Sequence, residues 1–167
     1  MARRSPGSVV AQTRNVNGYV APALTVDAIL LKGSDVLLIR RAQEPFARAW
    51  AIPGGFVEVG ERTEDACRRE LMEETGLRGD IVELLGVYSD PNRDPRGHTV
   101  TVAYVLKVSG IVAIAAGDDA AEARWFALDK LPPLAFDHEK ILADARAWLA
   151  LPDSFAKLGD TDFGKCA

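Results

Sequence analysis

The sequence is poor in the features that build disulfide frameworks, membrane spans or nucleic-acid coats. Its two cysteines, Cys67 and Cys166, are far apart and show no CxxC spacing. No disulfide scaffold follows from them, and a reducing cytoplasm is the expected compartment. The opening "MARRSPGSVV" is basic but lacks an apolar run long enough for a signal peptide. The most apolar windows, "YVAPALTVDAILL" and "GIVAIAAG", are too short or are broken by Asp27, so no membrane partner is expected. Lys and Arg number 20 against 24 Asp and Glu, a formal net charge of −4. That balance argues against a protein that coats nucleic acid, yet it leaves room for a small nucleotide bound by a local basic patch. Internal repeats and low-complexity tracts are also absent.

The remainder is ordinary for a soluble globular chain: 48% hydrophobic and 26% charged over 167 residues. One domain over residues 18–150 is the economical reading, with an arm or leading strand over 1–17 and a loose tail over 151–167. "ALTVDAILLKGSDVLLIRRA" reads as a hairpin, and "AWAIPGGFVEVGE" as strand and loop around a Pro-Gly-Gly turn. Thr63 to Thr75 turns helical, with Thr63 as N-cap, Gly76 at C′ and a buried stripe of Ala66, Cys67, Leu71 and Met72. "IVELLGVYSD", "HTVTVAYVLKVSG" and "EARWFAL" are strand-like, and "DHEKILADARAWLAL" is a second amphipathic helix. This order predicts an α/β fold, a sheet with a helix on each face.

The first helix ends in "RRELMEETG", Arg68 to Gly76. Glu70, Glu73 and Glu74 stand at i, i+3 and i+4, so they share one face where the helix C-terminus is already negative. One reading is a solvated acidic face offset by Arg68, Arg69 and Arg78. The other is a hard-cation site, since Mg²⁺ binds through a few carboxylates together with substrate phosphates. Gly54 and Gly55 in the preceding loop favour the second, because a backbone without Cβ can approach an ion closely. Glu61 adds a further carboxylate just ahead of the helix.

From Gly55 through Glu61 to Arg69, Glu70, Leu71, Glu73, Glu74, Gly76 and Leu77, the spacing resembles the signature of the Nudix hydrolase family, MutT-like enzymes that cleave nucleoside diphosphates linked to a moiety X. "VLLIRR" and "ARWFAL" resemble its flanks, so the likeness covers roughly residues 18–150. It implies a Nudix-type α/β/α sandwich with a mixed central sheet and a loop-helix-loop metal site. It also implies Mg²⁺, with Mn²⁺ as a substitute, held by Glu70, Glu73 and Glu74 with the Gly54 carbonyl. Arg69 would orient the glutamates by ion pairing, Glu61 would brace the loop, and Gly55 and Gly76 would serve the backbone. The loop "GDDAAE" offers Asp118, Asp119 and Glu122, of which Asp119 for the metal and Glu122 for the substrate are the choices. The resemblance leaves the general base unassigned.

"SDPNRDPRGHTVTVAY" and "FDHEKILADA" resemble ADP-ribose pyrophosphatases and related regulators of NAD metabolism. The resemblance implies hydrolysis of ADP-ribose to AMP and ribose 5-phosphate. Arg93 and Arg96 could clamp the diphosphate or the terminal ribose phosphate; a simple turn is the other reading. Trp50 and Phe46 could stack on adenine or belong to the core, and Arg40 or Arg41 could meet phosphate. His98, Trp125 and Trp148 are assigned to structure. Other Nudix substrates remain open: nucleoside triphosphates, dinucleotide polyphosphates and nucleotide sugars. So does a non-catalytic sensor of ADP-ribose, although the regulators carry a DNA-binding domain for which the residues after the last strand are too few. Family members of this kind are often homodimers.

Overall fold

The structure is a computed structural model and describes residues 13–14, 18–109 and 120–159. Most of the expected arm, together with Asp118, Asp119 and Cys166, lies outside the described residues. Strands β1 (Thr13–Arg14) and β2 (Val20–Ala21) form a small antiparallel ribbon. The main elements then follow as β3 (Ala23–Lys32), β4 (Asp35–Arg41), β5 (Trp50–Ala51), β6 (Gly54–Phe56) and α1 (Thr63–Thr75). After them come β7 (Gly79–Tyr88), β8 (Thr99–Val108), β9 (Ala120–Ala127), α2 (His138–Leu149) and α3 (Ser154–Leu158).

The main sheet is mixed. Its path is β5-β4-β3-β8-β7, with β6 added to β3 and β9 added to β4. β3 and β8 run parallel; the other pairs are antiparallel. Strand periodicity sorts the apolar run of β3 onto two faces. Ile29 and Leu31 enter one core with Val36, Leu38 and Val105, and α2 covers it with Ile141, Leu142 and Ala145. Ala28 and Leu30 enter the other with Leu37 and Leu106, covered by Ala66, Cys67 and Leu71 of α1. Burial on both faces explains why β3 and β4 read as near-continuous hydrophobic runs. Each fully buried Leu or Ile stabilises by about 1.5–3 kcal/mol relative to exposure.

The hairpin expected around "KGSD" forms, but β3 and β4 pair only next to the turn, at Leu31–Val36 and Lys32–Asp35. Beyond that point β3 pairs with β6 at Thr25–Asp27, while β4 turns to β5 and β9. The two strands therefore diverge inside the sheet.

Helix α1 has the expected limits, and Gly76 closes it in the left-handed region (φ 70°), donating its N–H to the Met72 carbonyl. Two local expectations are corrected. Arg62 holds the N-cap position without a side-chain cap, because the Thr63 hydroxyl bonds the Tyr104 hydroxyl at 2.8 Å. Met72 is 42% exposed, and its place in the stripe is taken by Thr75, whose hydroxyl donates to the Leu71 carbonyl. In the expected tail, α3 packs back on α2: Leu158 is buried, and the Ser154 hydroxyl donates to the Leu149 carbonyl at 2.6 Å. Among the described residues no helix is long and apolar enough to cross a membrane.

Candidate active site

The divergence of β3 and β4 leaves a cleft of roughly 870 Å³. Thr25, Val26 and Asp27 of β3 form one side, Ile39 and Arg41 of β4 the other, and Gly54 to Val59 run along it. Glu61, Arg69, Glu70, Glu73 and Glu74 border the same space, as do Arg93, Asp94, Arg96, Phe136 and His138. The loop, the acidic helix face and the two distant stretches singled out in the sequence thus meet at one opening.

Arg69 organises the acidic wall. Its Nε and Nη2 donate to the two oxygens of Glu61 at 2.8 and 2.9 Å, and Nη2 also reaches the Phe56 carbonyl at 3.0 Å. Its Nη1 donates to Glu70 at 2.7 Å and to Glu73 at 3.2 Å. A planar fork with five donors suits this arrangement, and a lysine could not reproduce it. The hydrogen bond to Glu61, with help from Glu70, raises the Arg69 pKa further, and the same bond lowers that of Glu61. Glu70 behaves differently: burial raises its pKa against the pull of Arg69, with nearby Glu73 adding to the rise. It is a carboxylate in partial want of positive charge.

Glu74 turns to the loop, where its carboxylate accepts the Gly54 N–H at 2.9 Å. The contact of Gly54 with the acidic wall is therefore through its N–H. Backbone closes the Gly54 site and a side chain closes the Gly55 site. A Cβ on Gly54 would come within 2.1 Å of the Val26 carbonyl oxygen, and one on Gly55 within 2.5 Å of both Glu70 carboxylate oxygens.

Among the described residues no three carboxylate, imidazole or thiol groups are already gathered into a metal cage. What the cleft holds instead is a row of hard oxygen donors, with Glu61, Glu70 and Glu73 sharing Arg69 as counter-charge. An oxygen-only row at a glycine loop fits a cation of the Mg²⁺ or Mn²⁺ type that keeps waters and takes further ligands from a phosphate. Cys67 is no competing ligand, since burial pushes its thiol up to about 12.

The candidate substrate contacts divide. Arg96 lines the cleft, its Nε and Nη2 bonded to the Asp94 carboxylate, with its guanidinium 5.6 Å from the Phe56 ring centroid and 5.7 Å from that of Phe136. Arg41 lies 4.8 Å from the Phe136 centroid and also lines the cleft. Its neighbour Arg40, the other arginine considered from sequence, instead donates to the Arg48 carbonyl and pairs with Glu122 at 3.8 Å. Glu122 also pairs with Arg124. The Trp50 ring stacks edge-on against Phe126 at 4.7 Å and packs on the α2 core, outside the cleft lining. Phe46 contacts Phe136 at 4.9 Å, and His98 faces the Ser89 carbonyl.

Arg93 reaches the cleft floor, yet its guanidinium is engaged. It makes a two-pronged pair with Asp137 at 3.0 and 2.7 Å and a bond to Thr99 at 3.2 Å. Beside it lie groups that no motif connects. Asp27 accepts the Thr101 hydroxyl at 2.7 Å and faces Arg93 at 3.7 Å, and its other oxygen lies 3.5 Å from His138 Nε2. His138 Nδ1 accepts the Ile52 N–H at 2.9 Å. Burial lowers the His138 pKa, with Asp27 opposing, so the ring is neutral. The bond from Ile52 then places the proton on Nε2, toward Asp27. The only hint in the sequence was Asp27 interrupting an apolar run.

The sequence of residues 21–148 matches the NUDIX domain family model. The chain belongs to the Nudix family. Among its relatives is an ADP-ribose pyrophosphatase of Methanocaldococcus jannaschii, 52% identical over 78% of this chain and 76% of that one. A MutT/nudix family protein from Enterococcus faecalis has a solved structure with a TM-score of 0.74 and 36% identity, covering 84% of this chain and 69% of that one. The Nudix domain of Shewanella oneidensis NrtR, solved in complex with ADP ribose, gives a TM-score of 0.73 at 32% identity, covering 81% and 94%. The mixed sheet between helices is thus a Nudix fold, and the signature runs through the β6–α1 loop and along α1.

Proposed function

We propose that this Nudix domain hydrolyses the diphosphate linkage of ADP-ribose to AMP and ribose 5-phosphate, with Mg²⁺ or Mn²⁺ at the acidic wall. The observation that carries the reading is a single cleft with Glu70, Glu73 and Glu74 on one wall and Arg41 and Arg96 on another. A diphosphate repels a nucleophile, so its cleavage needs charge neutralisation and a positioned water more than covalent chemistry. A divalent cation bound there would neutralise phosphate oxygens and lower the pKa of a bound water. Glu70, Glu73 and Glu74 would hold that cation, with Arg69 aligning Glu70 and Glu73 and the Gly54 N–H holding Glu74. Arg96 and Arg41 are placed to hold the diphosphate, their guanidinium groups set over aromatic rings. The Gly54–Gly55 backbone lets phosphate and carboxylate approach without an intervening side chain.

The choice of ADP-ribose is supported by likeness to the archaeal pyrophosphatase and to the NrtR domain, the latter in complex with ADP ribose. That second likeness also favours an alternative, a domain that binds ADP-ribose without cleaving it. Steady-state kinetics on ADP-ribose, nucleoside triphosphates, dinucleotide polyphosphates and nucleotide sugars with Mg²⁺ test the reading. The expected result is a kcat/KM for ADP-ribose about 100-fold above the other classes, the discrimination a shaped pocket can supply. Turnover of another class faster by that margin would overturn it, and tight binding of ADP-ribose without turnover would favour the alternative.

A further inference from the structure

The cleft floor holds a buried polar cluster that has no part in the chemistry above. Asp27, Thr99, Thr101 and His138 are each at most 6% exposed, and Arg93 is 9% exposed. Polar groups this deep in a sheet are costly unless every partner is in place. Among the described residues no buried side-chain polar atom lacks a partner. The cluster joins four elements, with Thr99 and Thr101 supplied by β8. Asp27 belongs to β3, Arg93 to the "NRDPRGH" loop, and Asp137 and His138 to the start of α2, entered through Phe136 in the left-handed region at φ 54°. A non-glycine residue there costs on the order of 1–3 kcal/mol and persists only where its surroundings enforce it.

All of this converges on the backbone just ahead of the acidic wall. His138 Nδ1 holds the Ile52 N–H, and Ala28 N–H holds the Pro53 carbonyl at 2.8 Å. Gly54 is the strand partner of Asp27, and Asp27 Oδ1 lies 3.0 Å from where a Gly54 Cβ would sit. One residue on, the Gly54 N–H is the anchor of Glu74. From Asp27 to Glu74 the contacts are continuous.

We propose that His138 is a positioning residue: oriented by Asp27, it fixes the Ile52–Gly55 backbone, and through the Gly54 N–H it sets where the Glu74 carboxylate stands. The effect on turnover rests on the reading in Proposed function; the effect on the backbone does not. Within the neutral ring Asp27 favours the tautomer with its proton on Nε2, the only neutral form whose Nδ1 accepts the Ile52 N–H. Partners that orient a ligating group characteristically matter without touching the substrate.

Two substitutions separate positioning from bulk stability. In His138→Asn the amide oxygen falls at the place of Nδ1 and can still accept the Ile52 N–H. In His138→Gln the longer side chain reaches toward Asp27 and leaves Ile52 unbonded. Both are polar and smaller than or similar to histidine, so both should fold. On the full chain, amide hydrogen exchange should show Ile52 and Gly54 protected in wild type and His138→Asn but fast in His138→Gln. With ADP-ribose and Mg²⁺, His138→Gln should lower kcat by about 10- to 100-fold, with KM little changed and most of kcat kept in His138→Asn. Wild-type protection of both amides in His138→Gln would overturn the proposal. So would equal kcat in the two variants, or a loss confined to KM. If wild type cleaves no nucleoside diphosphate derivative, the reading of function fails, while the exchange measurement still decides the backbone claim.

Discussion

Gly54 and Gly55 are adjacent and both belong to the loop that meets the acidic wall, yet their neighbours make them different. The Gly54 site is closed by backbone, the Val26 carbonyl oxygen lying 2.1 Å from where a Cβ would sit. A strand carbonyl in the middle of a sheet cannot move aside, so Gly54→Ala should destabilise the fold by about 1–3 kcal/mol, as overpacking does. The Gly55 site is closed by the end of a side chain, Glu70, which can swing away. Gly55→Ala should therefore keep most of the stability and lose activity, because Glu70 leaves its place beside Arg69. Urea denaturation and turnover, measured on both variants, should move in opposite proportion. Equal stability losses would contradict this account. The pair was legible as "GG" before a glutamate-rich helix; which glycine serves the sheet and which the carboxylate was not, because that depends on the cross-strand register.

At the scale of elements, the joint between α2 and the sheet carries a pH dependence. His138 is buried among Asp27, Arg93, Asp137 and Arg41, and burial lowers its pKa below the ordinary value of 6.5. As pH falls below about 6.5 the unfolded chain takes up a proton on this histidine that the folded chain refuses. Stability is therefore lost on acidification, with a slope of at most about 1.4 kcal/mol per pH unit from this one group. His138→Asn should flatten the urea-midpoint profile just below pH 6.5 (about the unfolded value). An unchanged slope would contradict the neutral buried ring. Helix α1 and the strands were readable from periodicity, with Gly76 marking the helix end. The joint was not, since Asp27 and His138 are 111 positions apart and only the parallel pairing of β3 with β8 and the docking of α2 bring them together. The same holds for Arg40 and Arg41. Sequence placed a basic pair at the strand end, and the sheet decided that Arg41 enters the cleft while Arg40 pairs with Glu122.

For the whole molecule, the decisive feature is that β3 and β4 part within the sheet. The opening admits a ligand between two cores, with carboxylates from α1 on one side and the arginines of β4 and the β7–β8 loop on the other. The fold class was legible because strands and helices followed each other with clear periods. The acidic wall was legible because the signature is local, confined to one loop and one helix. The substrate side was only partly legible: its residues come from four distant stretches, and Trp50, a reasonable stacking candidate from sequence, is spent on packing against Phe126. The central claim is that the glutamates hold a divalent cation for diphosphate cleavage. Its most direct test compares wild type with Glu73→Gln, measuring ADP-ribose turnover as Mg²⁺ or Mn²⁺ is titrated and, separately, ADP-ribose binding by calorimetry. Glu73 is more than half exposed and makes one bond to Arg69, so the substitution should leave the fold intact. Wild type should be inactive without the metal and active with it, while Glu73→Gln should lose about 100-fold or more in kcat and still bind ADP-ribose. Wild-type turnover that persists after removal of the metal, or full activity in Glu73→Gln, would contradict the account.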